Sequence, residues 1–130
     1  MRSERIDDAC GLSRRWILEP LLASMLVRLD ESARRKFSAQ GFRWPGLFII
    51  SGYRSPLFQA ELNPLAPSSL HTRCPSMAAD LRVGDLPASL TPIEWWAFLG
   101  FEWAKLGGRW GGHFTPPDEN HFDLKAFDFG

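Results

Sequence analysis

The chain has 130 residues, 45% of them hydrophobic, a length that corresponds to one domain with a core of its own. Its 15 basic and 15 acidic side chains cancel, so no overall charge attracts nucleic acid or an anionic membrane, and a nucleic-acid-binding or scaffold role is disfavoured. Two cysteines are too few for a disulfide framework, and no segment has the pattern of a secretory signal or a membrane span, so we expect a chain made in the cytoplasm that does not insert into membranes.

The first half of the chain predicts one long helix followed by a buried strand. Apolar residues recur at helical spacing over residues 20–40, and charged residues fill the opposite face, which we expect to be solvated. The apolar run 46–51 lies between a proline and a glycine, as buried strands often do. A short helix is predicted over residues 57–62, and the proline- and serine-rich stretch 63–70 is predicted to be a loop.

The second half predicts a strand, an aromatic helix and two further strands. The strand covers residues 77–83. Thr91 is the expected N-cap of the helix, with Pro92 in its first turn and Glu94 completing a capping box, and we expect the aromatic side chains that follow to pack in the core.

The final strands, 109–114 and 121–124, complete the predicted architecture. The order of elements indicates an α+β fold with a small antiparallel sheet packed against helices. We expect a single domain over residues 1–130, with an N-terminal helical part, 1–44, and a motif-bearing core, 45–124.

Two histidines and an aspartate from separate segments form a candidate metal site. His71 lies in a loop, Asp80 within a predicted strand and His121 at the start of another. Two imidazoles and one carboxylate are a ligand set expected of a catalytic zinc site with one open position. Asp80 stands among apolar residues, where an unpaired carboxylate is costly to bury, so a cation should meet it, either a metal ion or the guanidinium of Arg54.

Asp118 is the candidate general acid and base. It lies in a loop three residues before His121, close enough in the chain to reach the same site and exchange a proton with a water on the metal. Glu119 competes for this role. On a strand, His121 and Asp123 share one face, opposite the apolar face.

The roles of two other candidate ligands stay open. His113 could replace His71 or Asp80 as a ligand, line the cleft and stabilise an oxyanion, or only support the strand. Cys74 is a soft ligand close to His71, although a lone thiol is more often a packing residue.

Five short motifs follow one another between residues 45 and 124. They are Ser51-Gly52-Tyr53-Arg54-Ser55, Ser69-Leu70-His71, Ala78-Ala79-Asp80, Trp110-Gly111-Gly112 and Asp118-Glu119-Asn120-His121-Phe122. In this order they resemble the motifs of the zinc D-Ala-D-Ala carboxypeptidases and the phage L-alanyl-D-glutamate endopeptidases, which share a core with the hedgehog signalling domain. The resemblance implies that fold, one Zn²⁺ ion and an activity on cell-wall peptides.

The resemblance also implies a role for each matching residue. Zinc would be bound by His71, Asp80 and His121, and Asp118 would be the catalytic acid and base. Arg54 would face the substrate or the developing oxyanion, for which a fixed guanidinium is a natural partner. Further candidates for substrate binding are Gln59, Ser69 and His113.

The chain departs from the family pattern between its first two ligands. The family usually has seven residue steps from histidine to aspartate and a glycine between them, whereas the offset from His71 to Asp80 is nine and Ser76 stands at the glycine position. Seven steps before Asp80 lies Arg73, which cannot bind zinc. We therefore predict that the loop bulges by two residues and that His71 still binds the metal.

These observations predict a zinc-dependent peptidase that hydrolyses stem peptides of bacterial peptidoglycan, as a D,D-carboxypeptidase or an L,D-endopeptidase. We expect a monomer that acts on the cell wall after lysis or delivery, in a phage or prophage context. The alternative is a non-catalytic module that retains the fold and binds peptidoglycan or another protein.

Overall fold

The computed structural model describes residues 3–62 and 69–125, and within them five strands form one antiparallel sheet in the order β1-β2-β3-β5-β4. Together with four α-helices, this sheet confirms the predicted α+β class. Of the predicted loop 63–70, residues 63–68 lie outside the described residues. The strands are β1 (Glu4–Arg5), β2 (Leu47–Ser51), β3 (Ala78–Val83), β4 (Arg109–Trp110) and β5 (His121–Asp123), and the helices are α1 (Ala9–Trp16), α2 (Pro20–Ala39), α3 (Pro56–Leu62) and α4 (Ile93–Lys105).

The central strand β3 sets the position of the candidate ligands. It pairs antiparallel with β2 on one side and with β5 on the other. In this register Asp80 lies opposite Ser51 on β2 and opposite His121 on β5. Directly opposed residues of an antiparallel pair project from the same face, so the sheet itself brings Asp80 and His121 together.

The two faces of the sheet have different roles. Leu81, Val83 and Phe122 are fully buried in the hydrophobic core, together with side chains of α2 and α4. Because side chains alternate along a strand, Asp80 and His121 project from the opposite face. As predicted, aromatic residues of α4 pack in the core, and the rings of Trp96 and Trp103 lie 6.3 and 5.7 Å from that of Phe122.

Several sequence predictions differ from the structure in detail. Helix α4 begins at Ile93 with Pro92 as its N-cap residue, and the hydroxyl of Thr91 donates to the carbonyl of Pro87 (3.1 Å) instead of capping the helix. The strand predicted over residues 109–114 ends at Trp110, because Gly111–His113 form a 3₁₀ turn. The N-terminal part also contains β1 and α1, which were not predicted.

Asp30 was predicted to lie on the charged face of α2, opposite the apolar residues, but the structure buries its side chain. Its side chain is only 3% exposed. The Oδ1 atom accepts hydrogen bonds from the indole N–H of Trp44 (2.8 Å) and the backbone N–H of Leu47 (3.0 Å), and Oδ2 pairs with Arg34. Hydrogen bonds to this carboxylate therefore link the start of β2 to the middle of α2.

In the part of the chain that the structure describes, no helix is both long enough and apolar enough to cross a membrane.

We expect Asp30→Ala to lower the free energy of unfolding by about 3 kcal/mol, because it leaves two buried N–H donors without an acceptor. Urea denaturation followed by tryptophan fluorescence measures this change. The matched control is Glu31→Ala on the exposed face of the same helix, which should change stability by less than about 0.5 kcal/mol. Equal effects of the two substitutions would contradict the role of Asp30.

Candidate metal centre

Three donor atoms converge on the face of the sheet opposite the core. His71 Nε2 lies 3.3 Å from His121 Nδ1 and 3.4 Å from Asp80 Oδ1, and the latter two atoms are 3.2 Å apart. Four ligands around zinc at its usual bond lengths are separated by about 3.3 to 3.6 Å from one another. The three atoms therefore resemble one face of a tetrahedron, and the cluster could hold a metal ion.

His71 is held by a short capped turn. It lies in the 3₁₀ helix Leu70–Thr72, where the Ser69 hydroxyl accepts a hydrogen bond from the His71 N–H (3.1 Å). The Nδ1 atom of His71 is 2.7 Å from the carbonyl oxygen of Gly52. Since a carbonyl only accepts, Nδ1 carries a proton, and Nε2 is the nitrogen that faces the other two donor atoms.

The connection between His71 and Asp80 is held by hydrogen bonds to the segment that joins α1 and α2. Ser76 is fully buried, its N–H donates to Ile17 (2.7 Å), and its carbonyl accepts from Glu19 (2.9 Å). His71 Nε2 lies 3.4 Å from Asp80 Oδ1 across this connection. In the structure His71 rather than His113 completes the cluster, and a bulge relative to the family pattern stays a prediction.

His121 is oriented by an aspartate that was not predicted as a site residue. Asp123 is fully buried, and its Oδ2 lies 2.7 Å from His121 Nε2. Arg109 holds the same carboxylate with hydrogen bonds of 2.7 to 3.2 Å. This arrangement leaves Nδ1 of His121 to face Asp80, and a carboxylate behind a ligating histidine is a common support in metal sites.

Hydrogen bonds and charges within the cluster shift the pKa values of two candidate ligands, His121 and Asp80. Burial of the His121 ring disfavours its charged form, but hydrogen bonds to Asp123 and then Asp80 outweigh burial and raise its pKa to about 9. Burial also opposes ionisation of Asp80, yet its hydrogen bonds to His121 and His71 hold its pKa below the usual value. In the metal-free protein at neutral pH, a proton on His121 Nδ1 therefore stands where a metal ion would bind.

Arg54 is the second cation beside Asp80. Its guanidinium pairs with Oδ2 of Asp80, while Oδ1 faces the histidines. Its Nε donates to the hydroxyl of Ser51 (3.1 Å) and its Nη1 to Oε1 of the buried Gln59 (3.0 Å). The sequence offered a metal ion or Arg54 as the partner of Asp80, and the geometry accommodates both.

The candidate ligands His71, Asp80 and His121 line a cavity of about 400 Å³. Asp118 lies on the wall of this cavity. The backbone holds it there, because its N–H donates to Gly111 (2.8 Å) and its carbonyl accepts from His121 (3.1 Å). A Cβ atom at Gly111 would lie 2.3 Å from the Asp118 carbonyl oxygen, so this position requires glycine. Partial desolvation and the charge of Asp80 raise the pKa of the Asp118 carboxyl.

The remaining sequence candidates take different places. Gln59 and Ser69 line the cavity, where each also supports a neighbouring site residue. Glu119 is absent from the cavity wall, and its carbonyl accepts from the Trp110 indole (2.7 Å). His113 and Cys74 are exposed and outside the cluster, with the His113 ring 5.1 Å from that of Trp110. A substrate-binding role for His113 stays a prediction.

A scan against protein-family models finds no match for this chain, and a search of curated proteins finds none either. The chemistry of the site must therefore be argued from its side chains. Three donor atoms at ligand spacing, supports behind both imidazoles and the further carboxylate of Asp118 on the cavity wall define a candidate centre for one divalent metal ion.

We expect the protein to bind one Zn²⁺ ion per chain, measured by isothermal titration calorimetry and by metal analysis after dialysis. Replacing His71, Asp80 or His121 with alanine should abolish stoichiometric binding. Asp123→Asn should weaken binding about 10- to 100-fold through the orientation of His121. His113→Ala is the control and should bind like the wild type, and loss of binding in this variant alone would overturn the ligand assignment.

Zinc binding should release a proton at neutral pH, because His121, whose pKa is about 9, must lose its Nδ1 proton to bind metal. The apparent affinity should accordingly rise about tenfold per pH unit below pH 9. Calorimetry at pH 7 in buffers of different ionisation enthalpy should show about one proton released per ion. The Asp123→Asn variant should release less, since it loses a hydrogen bond that raises this pKa; equal release would contradict the assignment.

Proposed function

We propose that this chain is a zinc-dependent peptidase that hydrolyses peptide bonds in the stem peptides of bacterial peptidoglycan. The observation that carries the proposal is the triad of donor atoms with Asp118 on the wall of the same cavity. The resemblance of the five motifs to zinc D-Ala-D-Ala carboxypeptidases and phage endopeptidases supports the substrate class and a hedgehog-like fold. The antiparallel sheet, with helices packed on the face opposite the donor atoms, is consistent with that fold.

The donor set favours zinc over the commonest hard cations. Two imidazole nitrogens and one carboxylate oxygen suit Zn²⁺, whereas Ca²⁺ and Mg²⁺ take mainly oxygen ligands. Three protein ligands leave one coordination position open, which is typical of catalytic rather than structural zinc sites. The open cavity beside the three atoms provides room for a substrate there.

A bound zinc ion would supply Lewis-acid polarisation of the scissile carbonyl and would make a neighbouring water more acidic. Asp118 would accept the proton of the attacking water and deliver it to the nitrogen of the leaving amine. Its raised pKa suits both steps, because the carboxyl has to be a base first and an acid afterwards. The backbone contacts to Gly111 and His121 keep this carboxylate beside the ligands.

Arg54 would stabilise negative charge at the reacting carbonyl. Its guanidinium is fixed from three sides by Asp80, Ser51 and Gln59, so little reorganisation is needed when charge develops on a substrate oxygen. Gln59 would then contribute by positioning Arg54. Ser69 would position His71 in the same way, and both Gln59 and Ser69 line the cavity in which the peptide would bind.

The proposed substrate lies outside the cytoplasm, so the protein would meet it after lysis or delivery. The resemblance to phage endopeptidases supports a phage or prophage context. We propose that the protein acts as a monomer, since the ligands and the acid-base residue all come from one chain.

We expect Asp118→Asn to lower kcat/KM on peptidoglycan fragments about 10²- to 10⁴-fold while zinc binding is retained. New amino termini, detected by mass spectrometry of the digested fragments, measure the activity. In the zinc-loaded wild type, kcat/KM should rise with pH as Asp118 loses its proton, because Asp118 must start deprotonated. The control Asp85→Asn alters a fully exposed carboxylate and should not change the rate.

Two results would reject this function. A zinc-loaded, folded wild-type protein that cleaves no wall fragment would favour the non-catalytic binding module. An Asp118→Asn variant with full activity would remove the proposed acid-base residue.

A further inference from the structure

Helix α4 has an apolar stripe on its exposed side. The stripe consists of Ile93, Ala97, Phe101 and Ala104, which follow one another at spacings of four and three residues and therefore share one side of the helix. Ile93 is 54% exposed and Phe101 is 59% exposed, while Ala97 is half-buried. We refer to these four residues as the α4 stripe. Single exposed apolar residues are common on protein surfaces, but a row of them along one helix is typical of a contact surface.

The α4 stripe is complementary to itself in size. Along the helix it alternates large and small side chains about a centre at the level of Leu99. In an antiparallel copy of α4, related by a two-fold axis at this level, Ile93 of one chain faces Ala104 of the other. Phe101 likewise faces Ala97. Each large side chain thus meets a small one, which lets two helices pack closely, and a two-fold interface requires such self-complementarity.

The charged residues beside the α4 stripe are complementary in the same arrangement. Glu94 lies in the first turn of α4 and Lys105 in the last, about three turns apart, so both flank the same edge of the stripe. In the antiparallel pair, Glu94 of each chain meets Lys105 of the other, whereas a parallel pair would bring like charges together. Lys105 also pairs with Glu102 of its own chain (2.8 Å). Such an exposed ion pair contributes little to stability, so the ammonium can be shared with a second carboxylate.

The α4 stripe is remote from the candidate metal centre. Helix α4 packs in the core on the sheet face opposite the donor atoms, and none of the four stripe residues lines the cavity that contains those atoms. A second copy on the stripe would leave the cavity of each chain open and its ligand set intact. Each chain of the pair would therefore remain a complete catalytic unit, in agreement with the proposed action of a single chain.

We propose that two copies of this chain associate reversibly through their α4 stripes, with the two helices antiparallel. The proposal goes beyond the peptidase function and does not depend on it. Size and charge complementarity both favour a second copy over another partner. One helix per chain is a small contact beside the roughly 1,200 to 2,000 Å² buried in stable complexes. We therefore expect an equilibrium in which single chains predominate when the protein is dilute.

Sedimentation equilibrium of the full chain at increasing concentration measures this association. The mass of the wild type should rise from the 14.7 kDa of one chain towards twice that value. Phe101→Glu should weaken association at least about tenfold, because it places a carboxylate against an apolar surface of the other copy. Leu57→Glu is the matched control, since it changes a side chain that is 81% exposed on α3, and it should associate like the wild type.

Charge reversal tests the antiparallel arrangement without changing the apolar residues. Glu94→Lys alone and Lys105→Glu alone each bring like charges together at both ends of the pair, and each should weaken self-association about tenfold. An equimolar mixture of these two variants should associate again, because every contact then joins opposite charges. The double variant Glu94→Lys/Lys105→Glu should associate like the wild type. These variants also decide the matter if Phe101→Glu does not fold.

Several results would overturn the proposal. A wild type that keeps the mass of one chain at the highest concentration would do so, and so would assembly beyond two copies. Equal weakening by Leu57→Glu and Phe101→Glu would mean that exposed apolar residues associate without specificity. A mixture of the two charge variants that associates no more strongly than either variant alone would reject the antiparallel pair.

Discussion

The pairing of β3 with β5 is the constraint on which the candidate site depends. It sets Asp80 opposite His121 on one face of the sheet, while Leu81 and Phe122 point into the core on the other. A shift of this register by one residue would turn the apolar side chains away from the core and the ligands into it. Burial of the apolar face therefore enforces the geometry of the polar face, and the fold specifies the spacing of two donor atoms before any metal is considered.

The third donor is brought in by hydrogen bonds rather than by sheet pairing. His71 reaches the cluster because the Gly52 carbonyl orients its ring and Ser69 caps its turn. Gly52 itself lies against the carbonyl of Trp16 at a distance that leaves no room for a Cβ atom. The motif after β2 thus supports the histidine with its backbone and Asp80 with the side chain of Arg54. Residues that look like separate motifs in the sequence act as one support around the ligands.

The sequence predicted those parts of the structure that have a strong local period or a distinctive residue. Helix α2 and strands β2 and β3 were close to their observed bounds, and all three residues of the observed cluster were among the candidates, because histidine is rare in this chain. Asp30 was misplaced because its charge suggested an exposed side chain. The donors to its carboxylate, Trp44 and the backbone of Leu47 at the start of β2, are brought to it only by tertiary packing. Asp123 carried a usable signal, its shared strand face with His121, but Arg109 had none, because only the pairing of β4 with β5 brings it to that carboxylate.

Charge balance explains why a buried cluster with several carboxylates is compatible with a stable fold. Asp80 is compensated by Arg54 on one oxygen and by protonated His121 on the other, so the metal-free protein does not bury an isolated negative charge. A divalent cation at the three donor atoms would replace the Nδ1 proton and add one net positive charge. That charge would act on Asp118, whose pKa is raised by burial and then by the charge of Asp80, and would favour its ionised form. Metal binding and preparation of the proposed base are therefore coupled through the same carboxylate.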